Sequence, residues 1–216
     1  MLVEKIMKKN VITLSSTATV LEALQLLQEH RIRHIPIIDK EKHVIGIVSD
    51  RDVRVASPSI LDKQANQQVL KKEIREIMST PVVTIHPLDF VEDIAKIFYE
   101  ETFACLPVVR EGKLVGIVTE KDMLYTLIQL TGTHMPSSHI ELKVPHEPGN
   151  LASILAVFGK RKLNITSLLI YPDHEDSNYK IVVIRVQTIH PLPVVKDLQT
   201  NGFEVIWPKP LQGAEE

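Results

Sequence analysis

Apolar and polar positions in the first 130 residues follow an order that occurs twice. In the first copy, apolar residues recur with helical spacing directly after Thr19. Thr19 and Glu22 have the Thr-x-x-Glu spacing of a capping box, which marks the start of a helix. The elements predicted for this copy are strands at residues 11–14, 35–38 and 44–48, a helix over residues 20–27 and a second helix that opens at Ser49.

The same order returns in a second copy. The offset is 71 residues from Met7 to Met78 and 70 residues from Gly46 to Gly116, so one residue has been lost in between. The elements predicted for the second copy are a helix over residues 91–99 and strands at residues 106–109 and 114–118. A repeat of this regularity is one supersecondary unit used twice. Neither copy can bury its apolar surface alone, so we expect the two copies to pack as a pair.

The segment between the copies is more polar. Residues 57–59, Ser-Pro-Ser, predict the end of the second helix of the first copy. Residues 62–68 are polar enough for an exposed connection or a solvated helix. Residues 71–78 have the pattern of a helix that leads into the second copy.

A different pattern follows the turn-rich polar stretch at residues 131–138. There, Ile140, Leu142 and Val144 alternate with charged residues, as in a half-buried strand. The elements predicted after this strand are a helix over residues 151–158, strands at 165–171 and 179–186, a helix over 193–201 and a strand at 203–207. This order of strand, helix, strand, strand, helix, strand is that of a ferredoxin-like domain.

Composition narrows the class of protein. The chain has 216 residues and a formal net charge of -2, with its cations spread among carboxylates. This balance gives no electrostatic footprint for nucleic acid or an anionic membrane. No apolar run approaches the roughly 20 residues of a membrane span and the N-terminus lacks a signal pattern, so we expect a cytoplasmic protein. Cys105 is the only cysteine, which excludes an intrachain disulfide and a cysteine-based zinc site.

Catalytic and metal-binding motifs are not apparent. The sequence holds no Gly-x-Ser-x-Gly elbow, P-loop or pair of catalytic carboxylates, so we do not expect an enzyme. The nine histidines include His30 and His34, four residues apart, but none lies in a pattern such as His-Glu-x-x-His. The sequence therefore predicts no metal site.

Each copy ends in a Gly-apolar-apolar-Ser/Thr-x-x-Asp signature, at residues 46–52 and 116–122. The spacing of Ser49 and Asp52 is close to a capping box, in which hydroxyl and carboxylate satisfy backbone N–H groups. It also suits a ligand, because a helix N-terminus attracts phosphate and a carboxylate can accept the hydroxyls of a ribose. The glycine of each signature indicates a close approach, by a ligand or by the partner copy. Spacing alone leaves these alternatives open.

The doubled signatures resemble those of the cystathionine-beta-synthase (CBS) domain, two of which form a tandem pair called a Bateman module. The C-terminal part, about residues 138–210, resembles an ACT domain, a small amino-acid-sensing and dimerising module. The combination is similar to the acetoin utilization protein B family, and residues 44–46, 56–60, 86–92 and 130–132 carry that closer similarity. The resemblance implies a mixed α+β and α/β fold, with a tandem CBS-domain pair followed by a ferredoxin-like ACT domain.

The resemblance also implies domain boundaries and a nucleotide site. The expected divisions are CBS repeat 1 at residues 1–60, a connecting segment at 61–76, CBS repeat 2 at 77–130, a linker at 131–138 and an ACT-like domain at 139–210. CBS domains bind adenine nucleotides with the signature Asp on the ribose and the hydroxyl near ribose or phosphate. The nucleotide-binding residues implied here are Ile12, Thr13, Arg33, His34, Pro36, Ser49, Arg51, Asp52, Val83, Thr84, Pro107, Thr119, Lys121 and Asp122.

Two of the implied binding features also have an explanation without a ligand. Only the first copy has the basic residues Arg33 and His34 next to its Pro-containing strand. These residues would direct the phosphates of a nucleotide toward the first copy. The alternative is a solvated helix end, because cations also favour the C-terminal end of a helix. In the ACT-like part, the family resemblance implies a ligand turn, and the alternative is a dimerising domain with an empty site. The residues of that turn are Gly149, Asn150, Asn164 and Ile165.

The function implied by these resemblances is regulation. The CBS pair would bind AMP, ADP, ATP or S-adenosylmethionine as a regulatory ligand, with no cofactor required, and would act on an unidentified protein. Homodimerisation through the CBS domains, the ACT domain or both is implied as well, and the family is associated with growth on acetoin or butanediol. The alternative is a dimeric scaffold without ligand, or an amino-acid sensor that acts through protein contacts.

Overall fold

The computed structural model describes residues 1–56 and 68–209, and the chain divides into two compact units, Met1–Leu124 and Tyr125–Glu216. The helix break expected at residues 57–59 and most of the polar segment at 62–68 lie outside the described residues. Both copies of the repeat belong to the first unit, apart from the end of the last helix of the second copy.

The first copy has the predicted order of elements. They are β1 (Leu14–Ser15), α1 (Val20–Glu29), β2 (His34–Ile38), β3 (Val44–Ser49) and α2 (Asp50–Ala56). Strand β1 runs parallel to β2, which pairs antiparallel with β3. Thr19 and Glu22 form the predicted capping box at the start of α1. The predicted first strand is shorter than expected, because only its last residue, Leu14, pairs with β2.

The second copy repeats this arrangement. Its elements are α3 (Val91–Glu101), β4 (Cys105–Arg110), β5 (Lys113–Thr119) and α4 (Glu120–Thr131). Ile85 forms a parallel bridge to Val108, at the positions where Leu14 lies beside Ile37 in the first copy. The predicted doubling of one supersecondary unit is therefore confirmed.

The segments that lead into the two copies are exchanged between their cores. A short 3-10 turn at Val3–Lys5 places Val3 among the buried residues of the second copy, including Ile94. A second 3-10 turn, Ile74–Glu76, places Ile74 among the buried residues of the first copy. Each copy is thus completed by the lead segment of the other, and the two form one packed pair.

The lead segment of the second copy is not the helix that residues 71–78 predict. Its backbone bonds to the first copy instead, where the Ile74 N–H donates to the Ala18 carbonyl at 2.7 Å. The Ser79 N–H donates to the Ile47 carbonyl at 2.8 Å, beyond the short 3-10 turn. These long-range bonds replace the helical ones, so that prediction is wrong.

The glycines of the two signatures lie against the exchanged segments. A Cβ atom built on Gly46 would overlap the Sδ atom of Met78, and one on Gly116 would lie 2.7 Å from the Sδ atom of Met7. Real Cβ atoms do not tolerate such distances. Of the two approaches that the sequence leaves open, the partner copy accounts for both glycines.

The second unit is the predicted ferredoxin-like domain. Its elements are β6 (Ser138–Pro145), α5 (Asn150–Lys160), β7 (Ile165–Pro172), β8 (Tyr179–Val186), α6 (Leu192–Thr200) and β9 (Glu204–Trp207). They form an antiparallel sheet of order β7-β8-β6-β9. The alternating residues Ile140, Leu142 and Val144 are buried in one core with Phe158 and Leu198 of the two helices. In the described parts of the chain, no helix has the length and apolarity to cross a bilayer.

Candidate functional site

Both signatures close a strand and open a helix through the same hydrogen bonds. The Asp52 Oδ2 atom accepts from the Ser49 N–H at 2.8 Å and from its hydroxyl at 2.7 Å, and the Ser49 Oγ atom accepts from the Asp52 N–H at 3.1 Å. Thr119 and Asp122 repeat these bonds at 2.9, 2.6 and 3.3 Å. Both signatures are therefore capping boxes, and their bonds leave the Oδ1 atoms for other contacts.

A cavity of about 530 Å³, here called the first cavity, opens beside the first signature. It combines the signature residues of the first copy with residues that lead into the strands of the second copy. The residues that line it are Arg33, His34, Ile47, Ser49, Asp50, Arg51, Asp52, Ser79, Pro81, Val82, Val83, Thr102, Phe103, Ala104, Cys105 and Leu106. It therefore offers both apolar and charged side chains to a ligand.

A smaller cavity of about 230 Å³, here called the second cavity, opens beside the second signature. It combines the signature of the second copy with residues that lead into the strands of the first copy. The residues that line it are Lys8, Asn10, Val11, Ile12, Arg31, Ile32, Arg33, His34, Ala104, Ile117, Thr119 and Lys121. The two cavities thus occupy corresponding positions in the repeat.

The structure brings most of the predicted nucleotide-binding residues to these cavities, but each cavity combines residues of both copies. Val83 lies with Ser49, Arg51 and Asp52 in the first cavity. Ile12 correspondingly lies with Thr119 and Lys121 in the second cavity, and both cavities include Arg33 and His34. The predicted residues outside both linings are Thr13, Thr84, Pro36, Pro107 and Asp122. The two prolines are buried within β2 and β4.

Asp122 lies outside the lining of the second cavity and forms an ion pair. Its Oδ1 atom is 3.0 Å from the Lys8 Nζ atom, and its side chain is 15% exposed. The residue that corresponds to Lys8 in the second copy is Ser79, which lines the first cavity. Asp52 therefore shares its cavity with Ser79, which carries a hydroxyl, whereas the carboxylate of Asp122 is neutralised by a cation.

One pair of corresponding residues in the cavity walls, His34 and Cys105, differs in chemistry, and burial shifts the pKa of each toward its uncharged form. Burial lowers the pKa of His34, the positive charge of Arg33 lowers it further, and three nearby carboxylates partly oppose the change. His34 is accordingly neutral at pH 7. Burial raises the pKa of Cys105 to about 12, so its side chain remains a thiol. Neither cavity therefore contains a reactive thiolate at this position.

The predicted ligand turn of the ACT-like unit lies at the starts of α5 and β7. Gly149 has a φ of 94°, which favours glycine, and the Asn150 side chain donates to the Pro145 carbonyl at 2.9 Å. Asn164 and Ile165 lie where β7 begins, and Ile165 pairs with β8. These contacts stabilise the backbone, and a ligand at this turn remains a prediction.

A cluster at the hairpin turn of the first copy was not expected from the sequence. Ligand atoms of Asp39, Glu41 and His43 lie within 4.8 Å of one another. The Asp39 Oδ1 atom accepts from the backbone N–H groups of Glu41 and His43 at 2.9 and 2.8 Å. These bonds stabilise the turn between β2 and β3 and account for the close spacing of the three side chains.

Comparison with known families assigns the chain to a class. The CBS-domain family model matches residues 3–59 and 74–129, and the ACT-domain model matches residues 138–203. The CBS matches cover more than half of the chain. The chain therefore belongs to the CBS-domain family, with two CBS domains followed by an ACT domain.

Similar solved structures cover the CBS pair. A putative acetoin utilization protein from Vibrio cholerae is 32% identical, with a TM-score of 0.54, over 60% of this chain and 92% of that chain. The CBS domain pair of protein MJ0100, in complex with 5′-methylthioadenosine and S-adenosylmethionine, is 31% identical, with a TM-score of 0.52, over 62% and 98%. The protein CBSX2 in complex with AMP is 27% identical, with a TM-score of 0.51, over 59% and 96%.

Curated relatives differ in length from this chain. A CBS domain-containing protein from Dictyostelium discoideum is 32% identical over 142 residues, which make up 63% of this chain and 98% of the relative. An uncharacterized protein from Methanocaldococcus jannaschii is 32% identical over 139 residues, 64% of this chain. The match covers only 46% of that relative. CBS pairs therefore occur both nearly alone and within longer proteins.

Proposed function

We propose that the CBS pair binds an adenine nucleotide of the AMP, ADP or ATP class, or S-adenosylmethionine, and thereby regulates another protein. The observation that carries the proposal is the first cavity, which combines the Asp52 carboxylate, Arg33 and an apolar wall. Its volume of about 530 Å³ falls within the range of small-molecule pockets. The complexes of MJ0100 and CBSX2 with adenosine ligands support the choice of ligand class.

Each part of an adenine nucleotide has a suitable neighbour in this cavity. The apolar side chains of Val83 and Ile47 suit the faces of the base. The Oδ1 atom of Asp52, which its capping bonds do not use, can accept from the ribose hydroxyls. Arg33 and Arg51 can donate to phosphate oxygens.

We also propose that the protein is a homodimer in which ACT domains of two copies associate. Strand β7 forms an edge of the sheet, and its Leu169, Ile170 and Tyr171 side chains are exposed. An apolar edge strand is a favourable surface for pairing with a second copy. Light scattering should give the mass of a dimer for the full chain, and Ile170→Lys should reduce it to that of a monomer. A monomeric parent protein would contradict this proposal.

The similarity to the Vibrio cholerae protein supports a link to the use of acetoin or butanediol as carbon source. In this proposal the protein is a regulator of another protein in such growth and not an enzyme. Deletion of the gene should slow growth on acetoin and leave growth on glucose unchanged. Equal growth of the deletion and parent strains on acetoin would remove this link.

A thermal-shift screen tests the binding proposal. The full chain is heated with AMP, ADP, ATP, S-adenosylmethionine or adenosine, with guanosine as the matched control. A ligand at about 100 times its dissociation constant adds about 2.7 kcal/mol to the free energy of unfolding. We expect adenine compounds to raise the melting temperature. If none does, the protein is better described as a scaffold or as a sensor that acts through its ACT domain.

A further inference from the structure

The two cavities carry opposite balances of charge. The charged residues that line the first cavity are balanced in number, with Arg33 and Arg51 against Asp50 and Asp52. The second cavity is strongly cationic, and no carboxylate occurs among the described residues that line it. Its cationic residues are Lys8, Arg31, Arg33 and Lys121. Even with Lys8 paired to Asp122, three positive charges remain for an anion.

The cavities also share part of their walls. Arg33, His34 and Ala104 line both of them. These residues lie at the beginning of β2 and immediately before β4, so the cavities meet where the two repeats pack. Arg33 therefore borders both the neutral cavity and the cationic one.

The second cavity is poorly suited to a nucleoside of its own. Its volume of about 230 Å³ is less than half that of the first cavity, at about 530 Å³, and below the usual range of ligand pockets. The carboxylate that would accept ribose hydroxyls, that of Asp122, is not part of its lining and is bound to Lys8. Its size and charge instead match a short chain of phosphates.

We propose that the two cavities together take one nucleoside polyphosphate. Its base and ribose occupy the first cavity, and its phosphate chain passes Arg33 into the second cavity, where Lys8, Arg31 and Lys121 neutralise it. This inference rests on the proposed function, since it requires the nucleoside in the first cavity. The affinity of the protein then increases with the number of phosphates, and one nucleotide binds per chain.

Arg31 offers a test that preserves the fold. Its φ of 50° lies in the left-handed region, where most side chains are disfavoured and glycine is not. The corresponding Thr102 of the second copy has a φ of 53°, so the conformation belongs to the turn and not to a ligand. Arg31→Gly therefore removes a cation from the second cavity without backbone strain.

Calorimetric titration of the full chain with adenosine, AMP, ADP, ATP and inorganic tripolyphosphate tests the inference. We expect affinity to rise from adenosine to ATP, with one ATP bound per chain. Arg31→Gly and Lys121→Gln should each weaken ATP about tenfold, the loss expected for one charge-assisted hydrogen bond, and leave adenosine unchanged. Lys113→Gln, an exposed cation outside both linings, serves as the control.

Each contrary result is distinguishable. Equal affinities for adenosine and ATP, or two ATP molecules per chain, would overturn the shared site while the proposed function stands. Equal weakening of adenosine and ATP by Lys121→Gln would also overturn it, because the variant would then act on the first cavity. If no adenine compound binds, the proposed function fails and this inference with it, even where tripolyphosphate binds alone.

Discussion

The two copies of the repeat share a backbone and differ in the side chains that reach their cavities. Both have the same strand pairing and the same capping bonds at their signatures. Lys8 and Arg31, however, correspond to Ser79 and Thr102. Positions that pack against the exchanged segments are constrained by a buried core, whereas cavity positions are not. A duplicated unit can therefore keep a symmetric scaffold and acquire asymmetric chemistry.

The largest expected effect tests the shared scaffold. Ile74 belongs to the lead segment of the second copy but is fully buried in the core of the first. Ile74→Ala should lower the free energy of unfolding by about 2 to 5 kcal/mol, because it leaves a cavity in that core. Urea denaturation measures the change. Arg75→Ala, on the same turn but exposed, is the control, and equal stability of the two variants would contradict the exchange of segments.

A smaller change in stability, together with a difference in ligand affinity, should distinguish the roles of Asp52 and Asp122 in the two signatures. Asp52→Ala and Asp122→Ala each remove the two bonds that the carboxylate accepts from the capping Ser49 or Thr119, so both should cost about 0.5 to 2 kcal/mol of stability. Asp52→Ala should also weaken adenosine binding about 10- to 100-fold, since it removes a charged hydrogen-bond acceptor from the first cavity. Asp122→Ala should leave adenosine affinity nearly unchanged in calorimetry. A loss of adenosine affinity in Asp122→Ala but not in Asp52→Ala would instead place the nucleoside in the second cavity.

The Lys8 ion pair should contribute less than either change. The side chain of Lys8 is 58% exposed, and exposed pairs contribute about 0 to 1 kcal/mol. Lys8→Met should therefore keep stability within about 1 kcal/mol of the parent protein in urea denaturation. It should reduce the preference for ATP over adenosine, because a cation leaves the second cavity. An unchanged ratio of the two affinities would exclude Lys8 from phosphate binding.

The smallest effect concerns the pair of His34 and Cys105. The lowered pKa of His34 means that the folded protein binds fewer protons than the unfolded chain, so stability should fall as pH drops below about 6.5. His34→Gln should flatten the dependence of melting temperature on pH between about 7.5 and 5.5. Cys105→Ala should not change that slope, because the pKa of its thiol is about 12. If the melting temperature of His34→Gln depends on pH as steeply as that of the parent protein, His34 is not the group responsible.

The sequence predicts well what local spacing determines. The capping box of Thr19 and Glu22, the doubled strands and the alternation from Ile140 to Val144 depend on neighbours a few residues away. Each is present in the structure. The family of the chain follows from these local features, because its signatures lie within single strand-to-helix turns.

Long-range pairing limits what the sequence predicts about the site. Ile12 belongs to the first copy and Val83 to the second, but each lines the cavity beside the signature of the other copy. Lys8 is absent from the predicted set because its partner, Asp122, lies in the other copy. Both outcomes result from the exchange of segments, which depends on which core each apolar side chain enters. Spacing within one copy carries no information on that choice.

The pairing of Lys8 with Ile117 has a consequence for synthesis of the chain on the ribosome. Val3 and Glu4 donate to the carbonyls of Asp89 and Pro87, and Lys8 pairs with Ile117 of β5, more than a hundred residues further along the chain. Closing so long a loop is slow compared with local pairing. Lys8 should thus become protected from proteases only after β5 has been synthesised, and a chain that ends before β5 would leave Lys8 exposed to degradation.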